Sequence, residues 1–107
     1  MKSIGLVEVE SVAAAVTCLD AMCKAADVRF VTWERKLGGR LVTIIVEGQI
    51  SAVKAAVEAA EVSSIIPVAA TAVIASPHSE TERMVMLSAS RIEKQNRQKS
   101  EQHIQEV

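Results

Sequence analysis

Aromatic side chains are almost missing. The 107 residues hold one Phe, one Trp and no Tyr. Surfaces that stack bases on aromatic rings need several such residues, so a base-stacking sheet is excluded. An excess of one charge is missing too: 12 Lys and Arg face 13 Asp and Glu, for a net charge of −1. A chain so balanced does not grip nucleic acid by its overall charge. Long apolar runs are lacking, since the longest, Ile65 to Ala75, is interrupted by Pro67 and Thr71. A membrane span takes about 20 residues, so no membrane association is expected. Met1-Lys2-Ser3 leads directly into an alternating pattern, so no targeting segment is expected. Only two cysteines occur, Cys18 and Cys23. On one helix they sit about 140° apart, off a common face. The expectation is two reduced, buried, small apolar residues with no disulfide, no metal and no cofactor.

Catalytic sets are also missing. The two histidines are His78, after Pro77, and His103, near the C-terminus. No Cys-x-x-Cys, His-x-x-x-His or Walker loop occurs, and Gly38-Gly39 is too short to cradle a phosphate. Glu8 and Glu10 share a strand face but have no base, nucleophile or metal ligand beside them. The chain is not expected to be an enzyme.

What is present is small apolar side chains, 16 Ala and 15 Val, in clear periods. Residues 2–10 alternate as a strand, with Gly5 marking a close approach. Ser11 is a helix N-cap, and Val12, Ala15, Val16, Leu19, Met22, Cys23 and Ala26 follow at helical spacing. Residues 28–36 are rich in β-formers, Gly38-Gly39 signals a hairpin turn, and residues 40–47 continue as a strand. Ser51 is expected to cap a second helix over 51–62. Residues 68–74 read as a fourth strand, ended by Pro77-His78, and residues 80–87 as one or two helical turns. From Ser88 onward only Ala89, Ile92, Ile104 and Val107 are apolar. That stretch is expected to be a flexible or marginally helical tail, leaving a domain of residues 1–87 and a tail of 88–107.

The order β-α-β-β-α-β predicts an α+β fold. Its economical form is a four-stranded antiparallel sheet with helices on one face, in a ferredoxin-like arrangement. The other face, rich in Val and Ile, is expected to be uncovered and to invite association.

Six segments, in order, carry a family resemblance. Ser3-Ile4-Gly5-Leu6-Val7-Glu8-Val9 resembles the A-L-G-x-I-E opening of bacterial microcompartment (BMC) shell proteins. Residues 19–28, Leu-Asp-Ala-Met-Cys-Lys-Ala-Ala-Asp-Val, resemble their A-D-A-M-x-K-A-A-x-V helix and its exit. Lys36-Leu37-Gly38-Gly39 is similar to the pore turn K-I-G-S/G-G. Residues 41–48 are similar to the strand that follows it, and Ala52-Val53-Lys54-Ala55-Ala56 to the second helix. Val73-Ile74-Ala75-Ser76-Pro77-His78 is similar to V-I-P-R-P-H. The resemblance covers residues 3–87 and implies the BMC-domain variant of the ferredoxin-like fold. It further implies a structural protein of the single-domain, hexamer-forming type. Such hexamers tile into the facets of a cytoplasmic protein compartment, beside other shell proteins, and pass small metabolites through a central pore.

Carried over residue by residue, the resemblance places Leu37, Gly38, Gly39 and Arg40 at the pore. It places Lys24, Asp27, Ser76 and His78 at the hexamer edge. Some relatives hold an iron–sulphur cluster through turn cysteines; this turn has none, so no cluster is expected. Plainer readings stand beside these: a simple hairpin turn, a solvated lysine, and a loop histidine satisfied by backbone. Arg40 stands where the family has Gly. Two readings stay open for it: six arginines forming a positive mouth, or an arginine turned outward or paired with Glu34. Ser76 replaces the family's Arg, and residues 60–72 run about two residues short, which bears on tiling. The alternative to a shell tile is an oligomeric small-molecule-binding regulator on the same scaffold.

Overall fold

The computed structural model describes residues 1–106 apart from Leu37 and Gly39; for residues 103–106 it describes the backbone. Strand β1 (Ser3–Val9) leads through helix α1 (Val12–Ala25) to β2 (Val28–Lys36) and β3 (Leu41–Gly48). Helix α2 (Ile50–Ser63), strand β4 (Ala70–Ile74) and helix α3 (Ser79–Glu106) follow. The four strands form one antiparallel sheet in the order β2-β3-β1-β4. This is the expected α+β, ferredoxin-like order.

Local chemistry explains most element boundaries. Ser11 caps α1, its Oγ accepting from the Ala14 N–H at 3.1 Å. Helix α2 starts earlier than expected. Gln49, not Ser51, occupies the cap position, and its carbonyl accepts from the Val53 N–H at 2.9 Å. Ser51 lies inside the first turn, because the apolar stripe Val53, Ala56, Val57, Ala60 sets the helix's phase and Ile50 fits ahead of it.

The inner face of the sheet presents Val7, Val9, Val42, Ile44 and Val46 to α1 and α2. The helices answer with Ala14, Ala15, Cys18 and Met22, and with Ala56, Val57 and Ala60, all buried. Small side chains on both helices let the backbones come close. The Cys18 Sγ reaches the Ala60 carbonyl at 3.8 Å. A Cβ built on Gly5 would lie 2.8 Å from a Val53 methyl and 2.9 Å from a Val57 methyl. The expectation for the cysteines holds for Cys18, which is buried, and fails for Cys23, which is exposed. Five residues past Cys18, Cys23 has rotated off the core stripe.

The outer face departs from expectation. Helix α3 lies across part of it, so the helices are not confined to one side. Val85, buried, packs on Ile4 and Ile45, with Leu6, Val31 and Ile74 around them. A β-bulge between Phe30 and Thr32 adds polar groups from β2 to this seat. Phe30 pairs with Val46 of the inner face, yet Thr32, two residues on, pairs with Ile45 of the outer face. The extra residue has moved Thr32 and Glu34 to the α3 side. There Ser88 is buried, its Oγ 2.8 Å from the Thr32 Oγ1, and it donates to the Glu34 carboxylate. The expected division between Leu87 and Ser88 therefore falls inside α3, at its polar anchor. Beyond Ile92 the described side chains of α3 are all exposed.

Candidate pore hairpin and lattice edge

The β2–β3 hairpin closes on the pair Lys36 and Leu41. Of its four connecting residues, Gly38 and Arg40 are described and both are exposed; Leu37 and Gly39 lie outside the described residues. Gly38 has φ +68°, a left-handed conformation that side chains rarely adopt, and a Cβ there would meet nothing within 4 Å. The glycine is required by the backbone and leaves open space before it. Cations gather at this end of the sheet. Arg35 stacks over the Trp33 ring at 5.2 Å, with Lys36 and Arg40 beside it in sequence. Glu34, beside Arg35 in sequence, accepts a hydrogen bond from Ser88.

The four expected edge residues fall at two places, the end of α1 with its exit turn and the connection from β4 to α3. Lys24 lies in the last turn of α1, largely solvated, and pairs with Asp20 four residues earlier at 2.7 Å. The Asp20 carboxylate accepts a hydrogen bond from the ammonium and attracts it, raising the Lys24 pKa above its ordinary 10.5. Asp27 is exposed in the turn from α1 to β2, where its carbonyl would stand 2.9 Å from a Cβ on Gly48. Ser76 and His78 are exposed in the connection from β4 to α3. The His78 Nδ1 accepts from the Glu80 N–H at 3.1 Å, and its carbonyl accepts from the Glu82 N–H at 3.0 Å. This is the backbone-satisfied role read as the plainer alternative: His78 starts α3. Among the described residues no hydrogen bond or ion pair links Lys24, Asp27, Ser76 and His78 to one another. Within one chain they are separate surface features.

Two features were not read from the sequence. One is the Thr32–Ser88–Glu34 anchor. The other is the N-terminal ammonium, nearly buried, which pairs with Glu82 of α3 at 3.3 Å. Among the described residues no group of three or more His, Cys, Asp or Glu is placed to hold a metal ion. No described helix is long and apolar enough to cross a membrane.

Residues 3–77 match the BMC domain, covering all four strands and both inner helices. The chain belongs to the BMC-domain family. It is 41% identical over 86 residues to the bacterial microcompartment shell protein PduA of Citrobacter freundii, spanning 78% of this chain and 91% of that one. It is 38% identical over 91 residues to the carboxysome shell protein CsoS1C of Hydrogenovibrio crunogenus, spanning 82% and 88%. A crystal structure of a microcompartment protein from Desulfitobacterium hafniense superposes with a TM-score of 0.71 at 27% identity. That match covers 82% of this chain and 48% of the solved one, so this chain spans about half of that protein. The BMC-domain match stops before α3, so the outer-face helix, with Ser88, lies beyond it, while Thr32 and Glu34 lie within it.

Proposed function

We propose that this chain is a structural tile of a bacterial microcompartment shell, working in the bacterial cytoplasm. The observation that carries the reading is the match to the BMC domain over residues 3–77, with shell-protein relatives matched over about nine-tenths of their length. Six copies close into a ring, with the β2–β3 hairpins converging on the axis. Gly38 lines the opening, because six turns meet on an axis only where side chains are small. Arg40, with Lys36 near it, gives the opening a positive mouth that favours small anionic metabolites. Rings meet edge to edge at Lys24, Asp27, Ser76 and His78 and share facets with other shell proteins. The chain contributes no catalysis, metal or cofactor of its own.

The exposed surface supports association. Both outer strands, β2 and β4, have one unpaired edge, and β4 is exposed over Ala70–Val73. Val62, in the last turn of α2, is 81% exposed, and Ile65, just beyond the helix, 62%.

The test is the solution mass by light scattering, with negative-stain microscopy of the same fractions. The expected result is about 70 kDa, six times the 11.5 kDa chain, with sheets or tubes on the grid. A dimer or trimer overturns the tile and favours the small-molecule-binding regulator. A hexamer that never forms sheets retains the ring and rejects the edge assignment, with Ser76 the first residue to examine.

A further inference from the structure

The outer face of the sheet holds a cleft of about 400 Å³ between α3 and the strands, at the hairpin end. Its floor is apolar: Leu6 of β1 and Ile45 of β3. Its wall is Met84 and Val85 of α3. Lys36 and Arg91, both exposed, stand at its rim, and neither has an ion-pair partner among the described residues. Glu34 enters the cleft from β2 with one carboxylate oxygen accepting from Ser88. Thr43 also lines it, its hydroxyl given to Glu8 at 3.1 Å in the shallower depression beside β4.

We propose that this cleft binds a small aliphatic monocarboxylate. The volume lies in the range of small-molecule sites, and a mostly apolar lining with a few polar groups is their usual composition. Two cations against one lining carboxylate leave a single positive charge, which suits a monoanion better than a dianion. Arg91 offers a planar fork that a carboxylate matches with two parallel hydrogen bonds. The aliphatic chain then lies on Leu6 and Ile45 under Met84. Met84, Val85, Ser88 and Arg91 all lie beyond the BMC-domain match, so this wall is supplied by the segment that follows it. The site is built within one chain and does not depend on ring closure.

The test is calorimetric titration of the full chain with butanoate, pentanoate, hexanoate and hexan-1-ol, with NMR of the Ile45 and Met84 methyl groups. Hexanoate is expected to bind saturably and to shift both methyls. Each methylene added from butanoate to hexanoate should tighten binding about fourfold. Hexan-1-ol, Arg91→Gln or Lys36→Gln should each weaken binding about tenfold or more. Lys54→Gln, exposed on α2 behind the opposite face, should leave it unchanged. Absence of saturable shifts, equal affinity for the alcohol, or unaltered binding by the Arg91 and Lys36 variants overturns the proposal. Light scattering on the same samples keeps the two readings separate. Binding by a non-hexamer rejects the ring alone, and a hexamer without binding rejects the cleft alone.

Discussion

Gly5→Ala is the sharpest probe of the packing that fixes this fold. Gly5 lies mid-strand in β1, buried, opposite Val46 on one side and Val73 on the other. Its backbone is not left-handed, so alanine fits the strand conformation. The unfolded chain would lose entropy, which by itself favours the variant by about 0.4–1 kcal/mol. Opposing this, the new Cβ would lie 2.8 Å from the Val53 Cγ1 and 2.9 Å from the Val57 Cγ2. Both neighbours are β-branched residues inside a helix, where one χ1 rotamer dominates, so neither methyl turns away cheaply. Helix α2 must retreat by about 0.5 Å, an overpacking that costs about 1–3 kcal/mol. The steric cost outweighs the entropic gain. At mid-range the net loss is about 1.3 kcal/mol, so the expected result is a melting temperature lower by about 5–10 °C, since about 1 kcal/mol moves a domain of this size by about 4–8 °C. Measurements need one fixed protomer concentration, because assembly adds to apparent stability. Val53→Ala alone removes two buried methyl groups, at about 1–2 kcal/mol. Combined with Gly5→Ala it should restore part of the loss, a favourable coupling of about 1 kcal/mol in the double-mutant cycle. An unchanged melting temperature for Gly5→Ala, or strict additivity in the cycle, would refute the close approach of α2 to β1.

Lys24→Ala is expected to leave the ring intact and abolish sheets in negative stain; dissolution of the ring would show that Lys24 is not an edge residue. Asp20→Asn removes the partner that raises the Lys24 pKa, so the lysine should titrate at lower pH in side-chain NMR. Because the folded pKa is raised, the pair's contribution is complete below pH 10.5 and lost as pH rises through the folded value; stability near pH 7–9 changing slope on this substitution would contradict it. Ending the chain after Ile92 should leave melting unchanged, since the described side chains removed are exposed, whereas ending it after Leu87 takes away Ser88. That shorter chain leaves Thr32 and Glu34 without their partner and should melt lower, by about 1–3 kcal/mol of lost stability, as should Ser88→Ala; equal melting of the two truncations would remove the anchor from the account.

The inner half of the molecule was legible because its signals are periodic. Alternation in β1 and β3, a helical stripe with a Ser cap in α1, and Gly-Gly between two β-rich runs each specify one structure, and they agree with one another. The glycine pair marked the hairpin correctly for a physical reason still visible at Gly38, whose φ is positive. Candidate edge residues were harder to read. Lys24 and Asp27 look like any solvated side chains within a single chain, and their assignment rests on resemblance. His78 is a surface residue with a local task, capping α3.

The outer half was not legible because its anchor is polar. An apolar count over residues 88–107 finds too little hydrophobic surface to order a chain, and that count treats Ser88 as a solvated residue. In the fold Ser88 is 6% exposed and Thr32 0%, and the hydroxyls meet each other and Glu34. Burying a hydroxyl is unfavourable only when it lacks a partner. Here the partner is supplied 56 residues away by a β-bulge, and neither periodicity nor composition reports a bulge. Were the pairing regular, with Val31 opposite Ile45, Thr32 and Glu34 would turn to the inner face and Trp33 to the outer one. The hydroxyl of Thr32 would then point into the α1 side and Ser88 would have nothing to meet. The bulge in β2 thus supplies the polar half of α3's seat on the sheet, beside the apolar contact of Val85 with Ile4 and Ile45.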